Sequence, residues 1–119
     1  MHVNQKPIVW LGSSRRDLQT FPQDARRSAG FQLRQVQQGL NPADFKSMPS
    51  IGSGVYEIRL HTAVEHRVCY VAKFAEAVYV LHAFSKRTRK TSRHDILVSR
   101  ERYQALLAQR CALRNTGRE

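Results

Sequence analysis

Three consecutive segments between Val55 and Ser85 limit what this chain can fold into more than any other feature. Val55–His61, His66–Phe74 and Ala77–Ser85 are rich in Val, Tyr, Ile and Phe, and short links join them. A parallel pair needs a crossover of about a dozen residues or more, so these strands must be antiparallel neighbours. Alternation sorts their faces. Tyr56, Ile58 and Leu60 point one way, while Glu57, Arg59 and His61 point the other. In the second strand Val68, Tyr70, Ala72 and Phe74 oppose Arg67, Cys69, Val71 and Lys73. The expected sheet packs one face on helices and carries charge on the other.

Upstream, Pro7–Leu11 reads as a short first strand that Gly12-Ser13-Ser14 stops. Ser13 or Ser14 then caps a helix, with Asp17 at the positive end of its dipole. A second helix begins at Pro22. Phe21, Ala25, Ala29, Leu33, Val36 and Leu40 line one face of it, Arg26, Arg27 and Arg34 project elsewhere, and Gly39 and Pro42 end it. Asn41–Gly54 reads as a loop pinned to the core by Phe45 and Met48. A last helix spans Asp95 to Leu113, with Ile96, Tyr103, Leu106 and Leu107 as a partly apolar stripe, and Arg114–Glu119 is a polar, frayed tail. The expected fold is α+β: an N-terminal strand and a two-helix hairpin packed on a small, mainly antiparallel sheet, with a basic C-terminal helix.

Charge narrows the company such a fold keeps. Twenty Lys and Arg stand against nine Asp and Glu, a net charge of +11 in 119 residues. Ten of the twenty fall in the last 34 residues, from Lys86 onward. Such a surface draws polyanions: nucleic acid, a ribonucleoprotein or an acidic protein. The longest apolar stretch, Ala77–Leu81, is far short of the roughly 20 residues that cross a bilayer. Met1–Lys6 lacks the apolar core of a secretory signal. Cys69 and Cys111 have no CxxC neighbour, and His2, His61, His66, His82 and His94 fit no metal spacing. The expectation is a cytoplasmic protein with no metal, cofactor or membrane partner.

No GxSxG, HExxH or Gly-rich phosphate loop is present. What remains is a set of cations on adjacent strands: Arg59, Arg67, and Lys86-Arg87 where the last strand ends. Guanidinium forks match phosphate oxygens in pairs, and a cleaved phosphodiester gains negative charge in its transition state. Arg67 is expected to project from the charged face, so that its removal leaves no hole. His82 and Tyr103 sit in apolar patterns and read as core residues.

Gly54–Leu60, His66–Val71 and Val80–Thr91 resemble, in that order, three motifs of the RelE/ParE toxin superfamily. The closer similarity is to its phage-derived, HigB-like branch, with a G-l-y-E-l-R strand, a y-R-v-x-Y strand and an L-h-x-F-x-K-K-t-x-k-t strand end. The resemblance runs from about Pro7 to Leu107. It implies one toxin domain over 1–119, with its core at 7–107 and a tail at 114–119. It also implies a type II toxin that cuts messenger RNA on the ribosome, a ribose 2′-OH attacking the adjacent phosphate. Carried over by position, Arg67 clamps the scissile phosphate. Arg59, Lys86 and Arg87 stabilise charge or move protons. Glu57, His66 and His94 are the acid–base candidates, and Lys73, Arg89, Lys90 and Arg93 are contacts to RNA or ribosome. The implied partners are a helix-turn-helix antitoxin, the ribosome and mRNA. Arg87 stands where the family has a second Lys, His66 stands where Tyr is common, and no C-terminal aromatic matches the residue that stacks an RNA base. Two alternatives stay open: a ParE-like toxin that binds DNA gyrase without nuclease chemistry, and a non-enzymatic phage-derived nucleic-acid-binding protein.

Overall fold

The computed structural model describes residues 5–116. In chain order the elements are β1 (Ile8–Trp10), α1 (Ser14–Gln19), α2 (Gln23–Gln37), β2 (Phe45–Ser47), β3 (Val55–His61), β4 (Glu65–Val71), β5 (Val78–Lys86) and α3 (Arg93–Thr116). They form a five-stranded sheet ordered β1-β5-β4-β3-β2. β1 runs parallel to β5, and the other pairs are antiparallel. The α+β architecture expected from the sequence is the one observed.

β2 lies in the stretch expected to be a loop. Three residues hold too little alternation to mark a strand. Phe45, Lys46 and Ser47 become one because the edge of β3 offers partners at Ile58, Glu57 and Tyr56. The third expected strand runs one residue further, to Lys86, and the second stops at Val71 rather than Phe74. The last helix continues through Arg114 to Thr116, so Arg114 is helical rather than frayed. Residues 117–119 of the expected tail lie outside the described residues, as do residues 1–4 of the N-terminal stretch that was read for a signal. No helix among the described residues is long and apolar enough to cross a membrane.

The largest departure concerns the sheet's second face. One face packs Ile58, Leu60, Val68, Tyr70, Val78 and Val80 under Phe21, Ala25, Ala29, Leu33 and Val36, as the periodicity of α2 requires. The other face is not simply charged. Val55, Cys69, Val71, Leu81 and Phe84 form a second core under Tyr103 and Leu106 of α3, closed by Met48 and Ile51. A bulge in β5 serves this core. Cys69 pairs with His82 and Tyr70 with Val80, which leaves Leu81 as the extra residue. The Leu81 carbonyl accepts a hydrogen bond from Arg102 Nη1 of α3 at 2.9 Å. Tyr103 is buried, its hydroxyl donating to the Ser53 carbonyl at 2.6 Å, which fits its reading as core.

Two stripe residues miss the core for geometric reasons. Leu107 is 41% exposed because Leu106, one position earlier, takes the inward direction on α3. Leu40 is 55% exposed because α2 has already ended. Gly39 turns the chain at φ +84°, with its N–H donating to the Val36 carbonyl and that of Leu40 to Gln35. This pair of bonds closes the last turn and carries Leu40 off the apolar face. A β-carbon on Gly39 would meet nothing within 4 Å, so only the backbone conformation is at stake. Gly39→Ala is expected to lower stability by about 1 kcal/mol, read from the urea midpoint at unchanged slope.

Candidate functional site

The register of β3 on β4 sets Arg59 directly opposite Arg67. Like charges facing each other across antiparallel strands repel, so counter-anions must hold the pair. Three carboxylates do so. Arg67 Nε lies 3.2 Å from Glu57 Oε1, and its Nη1 donates to Glu65 Oε2 at 3.1 Å. Arg59 Nη1 lies 3.9 Å from Asp44 Oδ1, in the segment leading into β2. The Glu57–Arg67 contact is a close ion pair rather than an aligned hydrogen bond, for Arg67 Nε has no hydrogen-bond partner among the described residues. The Nε of Arg59 is likewise without one.

Arg67 is the residue whose setting differs most from expectation. It does not project freely: its side chain is 7% exposed and that of Glu57 is 1%. Thr91 Oγ1 donates to the second Glu57 oxygen at 2.7 Å, so the loop between β5 and α3 is tied to the same pair. Truncating Arg67 would take its close ion-pair partner away from a buried carboxylate. The sequence pattern showed which face Arg67 occupies. It could not show that α3 and its preceding loop close over that face.

At the open end of this face, Arg59, Arg67, Lys86, Arg87 and Arg89 line a depression of about 500 Å³, with His61 and Glu65 at its side. Lys86 is itself buried, at 8% exposure, and pairs in register with Glu65. Burial and the positive charge of Arg67 push its pKa below the ordinary lysine range, against the pull of Glu57. Lys90 lines a neighbouring hollow with Glu57 and Thr91, and Lys86 lies between that hollow and the depression.

The other expected site residues lie elsewhere. His66 faces the α2 side of the sheet, 2% exposed, with its ring 4.4 Å from that of Phe21. It is turned away from Arg67 because consecutive strand residues point to opposite faces. His94 and Arg93 are exposed at the start of α3 and do not line the depression. Lys73 follows β4 at the far end of the sheet, its ammonium 5.3 Å from the Phe74 ring centroid. His82 is buried on the α3 face, with Nε2 2.7 Å from Asp95 Oδ1 and the ring stacked on Phe84. Burial lowers its pKa despite Asp95, and its Nδ1 has no partner among the described residues. It is a core histidine with one nitrogen satisfied.

Sequence reasoning missed Asp44, His61, Glu65 and Thr91 as members of this cluster. For His61 a signal existed, since it shares the face of Glu57 and Arg59. Asp44 and Thr91 gave none, because chain reversals bring them in across 15 residues or more: Asp44 to His61, and Thr91 to Glu57.

A small α+β protein with a cation-lined depression at one sheet end is thus the class that fold and site define. Residues 16–104 match the family described as phage derived protein Gp49-like (DUF891), and the chain belongs to that family. It is a toxin–antitoxin toxin family of the RelE/ParE-like type. No curated protein matches the chain.

Two outcomes follow from the buried charges. Arg67→Ala is expected to cost about 3–5 kcal/mol by urea denaturation, and the double variant Glu57→Leu/Arg67→Met to recover most of that loss. Lys86 gives a pH-dependent effect. Its lowered pKa means that the folded chain binds fewer protons than the unfolded one, so stability rises with pH from the folded-state value up to about 10.5. Lys86→Met is therefore expected to raise the urea midpoint at pH 7, with the gain shrinking as pH approaches 10.5.

Proposed function

We propose that this chain is the toxin of a type II toxin–antitoxin pair, of the HigB-like branch, and that it cuts messenger RNA on the ribosome. The observation that supports this reading is the opposition of Arg59 and Arg67 on paired strands, beside Lys86 and Arg87, in one depression. Two facing arginines and a buried lysine are costly to a fold, and an anionic ligand is what such an arrangement suits.

The reaction is displacement at phosphorus. The ribose 2′ oxygen bonds to the adjacent phosphorus, the bond to the 5′ oxygen breaks, and a cyclic phosphate and a 5′-hydroxyl result. Charge grows on the phosphate oxygens, and cations already fixed in place stabilise that transition state more than the ground state. Arg67, braced by Glu57, clamps the phosphate, and Arg59 and Arg87 add charge at its rim. Lys86 takes the 2′-hydroxyl proton: burial and Arg67 bring its ammonium nearer to neutrality, and a neutral amine is a base. The ribosome supplies alignment of the message for in-line attack, a contribution that fixed geometry makes large. Docking of the +11 chain on ribosomal RNA weakens steeply with salt. A helix-turn-helix antitoxin silences the toxin by laying acidic or apolar residues over the depression.

The test incubates one transcript with purified protein at near-physiological salt, with and without ribosomes, and maps new 5′ ends. Cleavage is expected only with ribosomes. Lys86→Met, folded by its own urea curve, is expected to cut on the order of a hundredfold more slowly or worse. Equal cutting in both tubes would overturn the ribosome dependence. No cutting in either would leave a gyrase-binding toxin or a non-enzymatic nucleic-acid-binding protein.

A further inference from the structure

His61 has no role in a purely cationic site, yet it lines the same depression. It ends β3 on the face of Glu57 and Arg59, and its ring is held from both sides. Nε2 contacts Asp44 Oδ2, and Nδ1 lies 2.8 Å from Glu65 Oε1 across the strand pair. A carboxylate at each nitrogen calls for a hydrogen on each, which is the imidazolium. The hydrogen bond the ring donates to Asp44, then the one it donates to Glu65, raises its pKa. The remaining charges around the depression are cations: Arg59 on the same strand, Arg67 on β4, and Lys86, Arg87 and Arg89 at and after the end of β5. The side chain is 54% exposed, so a ligand can reach it.

Glu65 marks where a phosphate would sit. One of its oxygens meets His61 Nδ1 and the other accepts from Arg67 Nη1 at 3.1 Å. A carboxylate bridging an imidazolium and a guanidinium stands in for two phosphate oxygens. Glu65 is 42% exposed, so its position opens to solvent, and a phosphodiester taking its place would face both donors.

Resting on the nuclease reading above, we propose that His61 is the general acid of this site, donating its Nδ1 proton to the departing 5′ oxygen once the scissile phosphate has displaced Glu65. The 2′-O–P bond forms as the P–O5′ bond breaks. The proton from His61 completes the 5′-hydroxyl, and the proton of the 2′-hydroxyl passes to Lys86. His61 is left neutral, its Nε2–H still on Asp44, which acts as a positioning residue.

The test compares wild type and His61→Gln in single-turnover cleavage of a ribosome-engaged message made with either oxygen or sulfur as the bridging 5′ atom at the cut. A thiolate leaves without prior protonation, since thiols ionise near neutral pH. On the oxygen message His61→Gln is expected to lose about 10²–10⁴-fold, and on the sulfur message to stay within a few-fold of wild type. Because both messages share Lys86 as base, the ratio of the wild-type oxygen rate to the sulfur rate isolates the acid, and it is expected to fall as pH rises through the His61 pKa. In Asp44→Asn that fall moves to lower pH, because the anion that raises the pKa is gone. Equal losses on both messages, no loss on oxygen, or an unmoved pH profile in Asp44→Asn would overturn the role of His61. A wild-type protein that cuts neither message would instead overturn the nuclease reading, and this role with it.

Discussion

The ion pair between Glu57 on β3 and Arg67 on β4 is the constraint on which the candidate site depends. Both side chains are buried, so removing either one leaves the other charge poorly compensated. The pair fixes more than two residues. Glu57 also accepts from Thr91, which draws the β5–α3 loop onto the sheet. Arg67 also donates to Glu65 and to the His66 carbonyl, which leaves its fork aimed along the strand toward the depression. With Arg67 placed this way, the register puts Arg59 opposite it, and the repulsion between them is held by Asp44, Glu57 and Glu65.

The second core explains how a basic loop can be presented in a fixed place. α3 begins just after that loop, and Ser92 caps it: Ser92 Oγ accepts from the Asp95 N–H at 3.1 Å and donates to Asp95 Oδ2 at 2.6 Å. The other Asp95 oxygen holds His82 of β5. Further along, Arg102 bridges the Leu81 carbonyl and Ser13, and Tyr103 reaches Ser53. These contacts seat α3 on the sheet from its first turn onward. Arg87, Arg89 and Lys90 therefore ride on a loop anchored at Lys86 and Thr91, exposed but not adrift. The glycine at 52 belongs to the same packing, since a β-carbon there would run into the Tyr103 ring.

Much of the fold is legible in the sequence. The antiparallel order of β3, β4 and β5 follows from short links and β-rich composition. The buried face of α2 follows from the spacing of Ala25, Ala29, Leu33 and Val36. The cation set was legible as well, since Arg59 and Arg67 fall on the polar parity of their strands and Lys86-Arg87 ends the third. Illegible were features that exist only as pairings between distant segments. β2 is a strand because β3 borders it, Asp44 reaches His61 because β2 folds back, and Thr91 reaches Glu57, the partner of Arg67, because the β5–α3 loop returns to the sheet.

The sequence by itself determined the order of the helices and of every strand but β2, the net positive charge and which side chains share a face of the sheet. Those properties are local: they depend on residue type and on a period of two or 3.6 residues. Tertiary structure alone decided which charged residues are buried, which are paired and which meet in one depression. It turned His66 into a core residue beside Phe21, and it drew His61, outside the set of residues first expected to carry the chemistry, between two carboxylates beside Arg67. The physical reason is that desolvation and Coulomb interaction depend on distance through space, and strand parity and helical period carry no record of that distance.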